Sequence, residues 1–278
     1  MSRVIVVGSA NTDLTVRVQN LPSSGETVIG HDLRIFFGGK GANQALAALR
    51  CGAEVLLIAR IGTDHYGREL SRHLTDSGLP TAGILPDEGH PSGLAFILIE
   101  ANGNNQITVV PGSNQHLTPA DINPCADWFT PGSVLLTQLE IPLPTVAAAL
   151  ELAKSSNMTT ILNPAPYAPL PAHVLAKTDI LTPNQAEAEA LSSGKGKNIE
   201  ETAQKMRTII PQGPQDIIVT LGSDGVLLVS MDRQEHIPAY PVQAVDTVGA
   251  GDAFNGVLAA ALANGWSIGR AVRLASAA

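Results

Sequence analysis

The chain has 278 residues, of which 44% are hydrophobic and 15% are charged, and its formal net charge is −8. This length allows one large α/β domain or two smaller ones, and the hydrophobic fraction excludes a globally disordered chain. The acidic balance argues against nucleic acid or an anionic membrane as the main partner, whereas an anionic small molecule needs only local positive groups.

Cysteine usage and the first apolar run bear on the cellular compartment. Cys51 and Cys125 form no C-x-x-C pair, and two separate cysteines in a chain of this size suit a reducing compartment. The first apolar run breaks at Gly8 and is too short for a signal sequence or a membrane span. We therefore expect a cytoplasmic protein without a membrane partner.

Taken in chain order, short apolar runs typical of buried parallel strands alternate with stretches that have the pattern of helices. The predicted strands are 4–8, 55–62, 133–140, 159–166, 179–184 and 216–222. The predicted helices are 41–51, 66–77, 143–156, 185–192, 199–211, 252–264 and 267–277. This alternation implies βαβ units, so the predicted fold class is α/β, with a doubly wound, mostly parallel sheet flanked by helices.

Further segments are strand-like but have no helix between consecutive members. They are 12–18, 27–37, 92–100 and 105–112. Asn102 and Gly103 have the chemistry of a hairpin turn between the last two segments. We expect a single domain over 1–278, with a small β-sheet lid inserted at about 12–18, 27–37 and 92–112.

The predicted lid contains more apolar residues than a small isolated sheet could leave in water. Because side chains alternate between the two faces of a strand, about half of these residues would face the main domain and half would face outward. We place Ile97 and Ile99 on the outward face. Because large apolar patches are rare on soluble monomers, we expect a homodimer that forms through the lids.

Two glycine-rich stretches each open a predicted helix, "FFGGKGANQA" at 36–45 and "DTVGAGDAFNG" at 246–256. Neither matches a Walker A loop or G-x-G-x-x-G. In the first stretch, Lys40 and Asn43 offer donors for hydroxyl or phosphate oxygens. In the second, the glycine turn can gather backbone N–H groups around an anion, and Asp252 is either the N-cap of its helix or a catalytic base.

Polar residues follow several of the predicted strands. They are Asn11, Asp13, Glu140, Asn163, Asn184 and Thr220. Ligands bind beyond the carboxyl ends of the strands in open parallel sheets, so these side chains predict a polar cleft at one edge of the sheet.

The chain resembles the ribokinase (PfkB) family of carbohydrate kinases over essentially its whole length. Besides the two glycine-rich stretches, the motifs that carry the resemblance are "GSANTD", "GETV", "GTDHYG", "QLE", "NPAP", "TPNQAEAE" and "TLGSDGV", in the family's order. The family continues beyond the point of "RLASAA" with a strand and a helix that would complete a cation site and cover the adenine.

The resemblance implies roles for residues of both glycine-rich stretches. Asp252 would take the proton from the sugar hydroxyl and would cap its helix at the same time. The N–H groups of Gly249, Ala250 and Gly251 would form the anion hole for the γ-phosphate. The residues that would hold the sugar are Asn11, Asp13, Gly39, Lys40, Asn43, Glu140 and Asp252.

The resemblance also implies ATP, Mg²⁺ and a monovalent cation of the K⁺ type as cofactors. The nucleotide site would consist of Asn184, Glu187, Thr220, Gly222, Ser223, Gly225, Gly251 and Ser276. Asn184 and Glu187 would face the phosphates, and Glu187 would hold Mg²⁺ through water. Asp246 and the Val248 carbonyl would bind the monovalent cation.

Taken together, we expect an ATP-dependent kinase that phosphorylates the primary hydroxyl of a pentose, with D-ribose converted to D-ribose 5-phosphate. The alternatives are a kinase for deoxyribose, another small sugar or a nucleoside, and a sugar-binding regulator without catalysis. Asp252 and its glycine turn favour catalysis, because a protein that only binds sugar needs no base there.

Overall fold

The computed structural model describes residues 3–100, 104–192, 194–242 and 247–278, which contain thirteen β-strands and eight α-helices. The strands are β1 Arg3–Val7, β2 Asn11–Val18, β3 Gly30–Gly38, β4 Glu54–Gly62, β5 Ile84–Asp87, β6 Gly93–Glu100, β7 Asn105–Val110, β8 Val134–Thr137, β9 Thr159–Leu162, β10 Ile180–Leu181, β11 Asp216–Thr220, β12 Val226–Val229 and β13 Gln234–Ile237. The helices are α1 Lys40–Arg50, α2 His65–Asp76, α3 Leu143–Ser155, α4 Ala172–Leu175, α5 Gln185–Leu191, α6 Ile199–Arg207, α7 Ala250–Ala263 and α8 Ile268–Ala275. None of the described helices is long and apolar enough to span a membrane.

Two sequence predictions fall on residues outside the described ranges. Asn102 and Gly103 carry the predicted hairpin turn, and Asp246 belongs to the predicted cation site. The strands on either side of the hairpin do pair antiparallel, with Ile99 opposite Asn105.

Nine of the described strands form one large sheet in the order β13-β12-β11-β10-β9-β8-β1-β4-β5. Neighbours from β11 to β5 run parallel, whereas β12 pairs antiparallel with β11 and with β13. The predicted fold class is confirmed. Strands β5, β12 and β13 are not predicted from the sequence. β5 (ILPD) and β13 (QEHI) are edge strands without a continuous apolar run, and β12 follows β11 with no α-helix between them, outside the βαβ alternation.

Alternate residues of the central strands enter two hydrophobic cores on opposite faces of the large sheet. In β1, Val4 and Val6 pack in the core beneath α1, α2, α7 and α8, whereas Ile5 and Val7 pack in the core beneath α3 to α6. All four side chains are fully buried. Since helices cover both faces, apolar residues are needed at every strand position, which explains the continuous apolar runs in the sequence.

Four described strands form a second, smaller sheet in the order β3-β2-β6-β7. Thr15 pairs with Ile97 and Arg17 pairs with Ile99, and residues paired across strands point to the same face. Ile97 and Ile99 therefore lie on the face that carries Asp13, towards the body of the protein. The predicted outward placement of the two isoleucines is wrong, because alternation defines two sets of side chains without telling which set faces inward.

Candidate active site

Helix α1 begins at a tight turn that requires glycine. Gly39 precedes the helix with φ +87°, in the left-handed region that other residues disfavour. A Cβ on Gly39 would lie 2.7 Å from the Asn11 backbone nitrogen, and a Cβ on Gly41 would lie 2.6 Å from the Gly8 carbonyl carbon. The first turn of α1 therefore packs directly against the β1–β2 connection, at the carboxyl end of β1.

Helix α7 begins at a second glycine turn. Gly249 is the N-cap with φ +79°, and the helix starts at Ala250, so that Asp252 is its third residue. The Asp252 side chain accepts hydrogen bonds from α1 instead of capping α7: Asn43 Nδ2 donates to Oδ2 at 3.1 Å and Gln44 Nε2 donates to Oδ1 at 3.0 Å. The predicted capping role of Asp252 is therefore wrong, because glycine alone makes this turn.

Opposing effects act on the ionisation of Asp252, which is only 7% exposed. Burial raises the pKa of Asp252, and the negative charge of Glu140 adds to the rise. The positive charge of Lys40 and the hydrogen bonds from Asn43 and Gln44 lower the pKa of the same carboxyl group. The net effect raises the pKa of Asp252 above its ordinary value, which suits a group that takes a proton during a reaction.

Asp13 and Glu140 lie close to Asp252. Ser9 Oγ donates to Glu140 Oε2, and the Lys40 backbone N–H donates to the same oxygen at 3.2 Å, so Glu140 fastens the start of α1 to the β1–β2 connection. Burial, together with the negative charges of Glu140 and Asp252, raises the pKa of Asp13 to about 6. The site thus brings the carboxyl groups of Asp13, Glu140 and Asp252 close together, and the positive charge of Lys40 acts on Asp252.

Asn11 is held at the base of the small sheet. It is 4% exposed, and its Oδ1 accepts a hydrogen bond from Asn114 Nδ2 at 2.7 Å. Asn114 also accepts from the Ala10 N–H at 2.9 Å and donates to the Ala10 carbonyl at 3.2 Å. The segment that follows β7 is therefore fastened to the β1–β2 connection, which anchors the small sheet beside α1.

A cleft of about 480 Å³ lies between the Asp13 face of the small sheet, helix α1 and the start of α7, and we call it the small-sheet cleft. It is lined by Asp13, Thr15, Arg17, Asp32, Arg34, Phe36, Phe37, Gly38, Asn43, Leu46, Ala47, Arg50, His73, Ile97, Ile99, Val248, Gly249 and Ala253. Charged and polar side chains alternate with apolar ones in this lining, which suits a small ligand that carries hydroxyl groups.

A second cleft of about 570 Å³ follows the carboxyl ends of the central strands, and we call it the main-sheet cleft. It is lined by Lys40, Asn163, Ala165, Thr182, Asn184, Gln185, Ala186, Glu187, Thr220, Leu221, Gly222, Gly249, Gly251, Asp252 and Asn255. Gly249 lines both clefts. A Cβ on Gly251 would meet no atom of the described residues within 4 Å, so the glycine turn opens into free space where an anion can approach.

Asn184 and Glu187 form a capping box at the start of α5. Asn184 Oδ1 accepts from the Glu187 N–H at 2.9 Å, and Glu187 Oε2 accepts from the Asn184 N–H at 2.8 Å. Burial raises the pKa of Glu187, while the Asn184 bond and the charge of Lys40 oppose the rise. Both residues therefore have a structural role in addition to their place on the main-sheet cleft.

The structure brings together most of the residues singled out in the sequence, although some lie elsewhere. Ser223 lines a separate surface pocket with Lys195 and Lys197. Gly225 has φ +90° and packs against the backbone at Ile237. Ser276 follows the last turn of α8 as its C-cap. These three positions are not among the described residues that line either cleft. The same holds for Asn11, Gly39, Glu140 and Ala250, which lie beside the starts of α1 and α7.

Sequence reasoning missed the buried amides around Asp252. Gln44 and Gln138 are fully buried, and Asn114 is 2% exposed. The available signal was a glutamine on the core-facing side of an alanine-rich helix, because a buried polar side chain must find partners. The search for polar residues at strand ends selects side chains that face a cleft. These amides were missed because they are buried beneath the cleft surface.

The described geometry can be compared with proteins of known family. The whole chain, residues 1–278, matches the pfkB family carbohydrate kinase profile. The chain belongs to the pfkB family. This pfkB kinase is therefore a phosphotransferase with an alcohol group as acceptor, as the sequence predicts.

Curated relatives of this pfkB kinase have two different sugar specificities in their names. The ribokinase of Bacillus subtilis is 37% identical over 278 residues, which cover 100% of this chain and 92% of the relative. The deoxyribokinase of Salmonella typhi is 35% identical over 257 residues, which cover 92% of this chain and 84% of the relative. Overall identity thus hardly separates the two specificities.

A solved structure confirms the architecture of this pfkB kinase. Arabidopsis thaliana ribokinase, complexed with ribose and ATP, matches it with a TM-score of 0.90 at 29% identity, over 100% of this chain and 91% of that chain. A similarity of this extent includes both sheets, and the ribokinase-like fold predicted from the sequence is therefore correct.

Proposed function

We propose that this chain transfers the γ-phosphoryl group of ATP to O5 of D-ribose, giving D-ribose 5-phosphate and ADP. The observation that carries the proposal is the position of Asp252, which lines the main-sheet cleft while it is bonded to Asn43 of the small-sheet cleft. A base at the junction of two clefts is what transfer between two bound substrates requires. The ribokinase relatives support ribose and ATP as the two substrates.

The sugar would occupy the part of the small-sheet cleft that is lined by Asp13 and Asn43. Its hydroxyls would be held by Asn11, Asp13, Gly39, Lys40, Asn43 and Glu140. Carboxylate and amide oxygens suit a neutral polyol, because each hydroxyl offers a proton to an acceptor. A substrate that lacks one hydroxyl leaves a buried acceptor unpaired, at a cost of ~1–3 kcal/mol.

In the transfer step, O5 attacks the γ-phosphorus while Asp252 takes the O5 proton, and the bond between the γ-phosphorus and the bridging oxygen of ADP breaks. The N–H groups of Gly249 and Gly251 would face the oxygens of the transferred group, where the N-terminus of α7 favours negative charge. The Ala250 N–H donates to the Thr247 carbonyl at 3.2 Å and would exchange this bond to join them. Lys40 lines the same cleft and adds a positive charge. Positioning and electrostatics therefore supply most of the catalysis.

ATP would lie in the main-sheet cleft beside Asn184, Glu187, Thr220 and Gly222. The capping bond uses Oε2 of Glu187, and Mg²⁺ in phosphoryl-transfer sites keeps several waters, so the residue suits an ion held through water. Mg²⁺ would neutralise charge on the phosphates. For Ser223, Gly225 and Ser276, the resemblance alone supports a nucleotide contact.

A monovalent cation of the K⁺ type would bind Asp246 and the Val248 carbonyl beside the anion hole, and the resemblance is the support for this site. We expect Asp246→Ala to reduce activation by K⁺ more than it changes sugar affinity, because the ion would lie outside the sugar pocket. Turnover measured across K⁺ concentrations tests this, and a wild type without any dependence on monovalent cations would remove the assignment.

We further propose a single domain over 1–278 whose small sheet acts as a lid, in a cytoplasmic homodimer that forms through the lids. The support is a set of half-exposed apolar side chains on the small sheet. They are Leu33, Ile35, Phe36, Phe96, Ile107, Val109 and Val110. Apolar area of this kind is usually covered by a partner.

ADP release measured against a panel of pentoses, hexoses and nucleosides, with and without K⁺, tests the proposed activity. We expect D-ribose to give the highest kcat/KM. A higher value for 2-deoxy-D-ribose would favour the second candidate, which the deoxyribokinase relative supports at 35% identity. Sugar binding without turnover of any compound would contradict the proposal and favour a regulator.

A further inference from the structure

A chain of buried amides lies behind Asp252. Gln44, which is fully buried on α1, donates through Nε2 to Asp252 Oδ1 at 3.0 Å and to Asn163 Oδ1 at 3.2 Å. Gln138 Nε2 in turn donates to Gln44 Oε1. Three side chains from α1 and from the ends of β8 and β9 are thus linked to the carboxylate.

One backbone carbonyl decides the orientation of every amide in this chain. The Thr182 carbonyl can only accept, so Asn163 must turn its NH₂ group towards it, at 2.9 Å, and its Oδ1 towards Gln44. Gln44 must then present its NH₂ group to Asn163 and Asp252, which leaves its Oε1 to accept from Gln138. A flipped Gln44 would bring its oxygen against two acceptor oxygens.

This orientation has a consequence for the charge of Asp252. With Gln44 Nε2 on Oδ1 and Asn43 Nδ2 on Oδ2, both carboxylate oxygens accept hydrogen bonds. Both bonds favour the ionised form, because a charged carboxylate accepts stronger hydrogen bonds than a neutral carboxyl group does. The other charged groups that act on Asp252 are Lys40, which favours the charge, and Glu140 and Asp13, which oppose it.

We propose that Gln44 is a positioning residue of the phosphoryl transfer, which favours the ionised form of Asp252 and holds it in one orientation through the chain anchored at Thr182. This inference rests on the proposed function of Asp252 as the base. Asn43 lines the small-sheet cleft, whereas Gln44 is not among the described residues that line either cleft. Loss of Gln44 should therefore lower kcat more than it raises the KM for sugar.

The variants Gln44→Glu and Gln44→Met separate orientation from packing. Gln44→Glu keeps the shape but replaces the donor by an acceptor, so the new carboxyl group and Asp252 must repel each other or share a proton. Gln44→Met keeps the length without any donor. For both we expect kcat to fall by about 10- to 100-fold, with the sugar KM changed by less than about threefold.

The pH profile distinguishes positioning from a general loss of stability. We expect the acid limb of kcat to move to higher pH in both variants, because Asp252 loses a donor that favours its charged form. The matched control is Thr145→Val. Thr145 lies in α3, on the other face of the large sheet, and its fully buried hydroxyl donates to the Leu117 carbonyl at 2.6 Å, a bond that valine cannot make. This control should lower the melting temperature and leave the pH profile unchanged.

A carbon-13 NMR titration of the Asp252 carboxyl group, assigned with Asp252→Asn, tests the inference independently of turnover. We expect its pKa to rise in Gln44→Glu and Gln44→Met relative to wild type and Thr145→Val. If wild type phosphorylates no sugar, the proposed function fails while this titration still reads out the role of Gln44. The variant Gln44→Glu keeps the shape of the side chain, so an unchanged Asp252 pKa in this variant would overturn the inference. A pH profile of Gln44→Glu identical to that of wild type would also overturn it.

Discussion

At the scale of single residues, the site concentrates negative charge where water is largely excluded. Asp13, Glu140 and Asp252 come from three different parts of the chain, and the negative charge of Glu140 raises the pKa of both Asp13 and Asp252. Such an arrangement is unfavourable for folding, because burial and like charges both oppose ionisation. Its presence is explained by function, since hydroxyl groups of a substrate need acceptors and the attacking hydroxyl needs a base.

The substitution Asp13→Asn tests this conflict between stability and function. The pKa of Asp13 rises from an ordinary 3.8 to about 6, chiefly through burial, so the folded state binds the proton more tightly than the unfolded state. The contribution of Asp13 to the free energy of unfolding therefore falls as pH rises through this window. We expect Asp13→Asn to melt at a higher temperature than wild type at about pH 8, with a smaller difference at about pH 5.

Sugar affinity should change in the opposite sense. Asp13→Asn replaces a carboxylate acceptor by an amide, so we expect weaker ribose binding at about pH 8 by calorimetry, with a loss of about 1–3 kcal/mol. Equal stability differences at the two pH values would contradict a pKa near 6. Unchanged ribose affinity would remove Asp13 from the sugar site.

At the scale of elements, the site is built where two glycine-initiated helices meet. The first turn of α1 packs on the β1–β2 connection, and the carboxylate of α7 is bonded to the side chains of α1. The two helices also share one hydrophobic core. Any shift of one helix start would therefore move the proposed base relative to the sugar site.

The glycines of these two turns should respond differently to substitution by alanine. A Cβ on Gly251 meets no atom of the described residues within 4 Å, and alanine favours a helix over glycine by about 1 kcal/mol. We expect Gly251→Ala to keep or raise the melting temperature, yet to lower kcat by about 100-fold, because the methyl group occupies the path of the phosphate.

Gly39→Ala is the contrasting variant. Gly39 has a φ of +87°, and a Cβ at this position would lie 2.7 Å from the Asn11 nitrogen. We therefore expect Gly39→Ala to lose both stability and activity. Gly52→Ala, at φ +83° with no described atom within 4 Å, controls for backbone strain alone. Thermal melts and turnover of the three variants check the contrast, and wild-type turnover in Gly251→Ala would contradict the anion hole.

At the scale of the whole molecule, the sequence predicted the layers better than it predicted their contacts. The continuous apolar runs identified the buried central strands, because both faces of the large sheet are covered by helices. The edge strands β5 and β13 lack a continuous apolar run, and β12 follows β11 without an intervening α-helix, so these three strands stand outside the pattern that predicted the others. Three features could not be predicted: the inward face of β6, the glycine cap of α7 and the amides around Asp252. They are determined by strand register and by contacts between segments far apart in the sequence, and no local pattern contains this information.

The proposed homodimer belongs to this scale. Ile107 and Val109 lie on the Asp13 face of the small sheet, because Val109 pairs with Ala95 and Ile107 pairs with Ile97. Their strand, β7, contributes none of the described residues that line the small-sheet cleft. Because they are 53% and 46% exposed, a second small sheet could cover them at the mouth of that cleft. We expect Ile107→Glu with Val109→Glu to give monomers by light scattering, with weakened sugar binding.

The matched control places the same charges on the opposite face of the small sheet. Ile35 and Phe96 are similarly exposed, at 49% and 43%, and both pair with Leu14 on the face away from the cleft. Ile35→Glu with Phe96→Glu should remain dimeric. If this pair alone gives monomers, the dimer uses the opposite face, and a monomeric wild type at micromolar concentration would exclude the dimer.

The central claim is that Asp252 serves as the base between the two clefts, and Asp252→Asn tests it most directly. The measurement pairs single-turnover phosphorylation of D-ribose with ribose affinity from calorimetry. Loss of a general base predicts a rate about 10²- to 10⁴-fold below wild type, while ribose still binds. Near-normal turnover of Asp252→Asn in the presence of bound ribose and ATP would contradict the account.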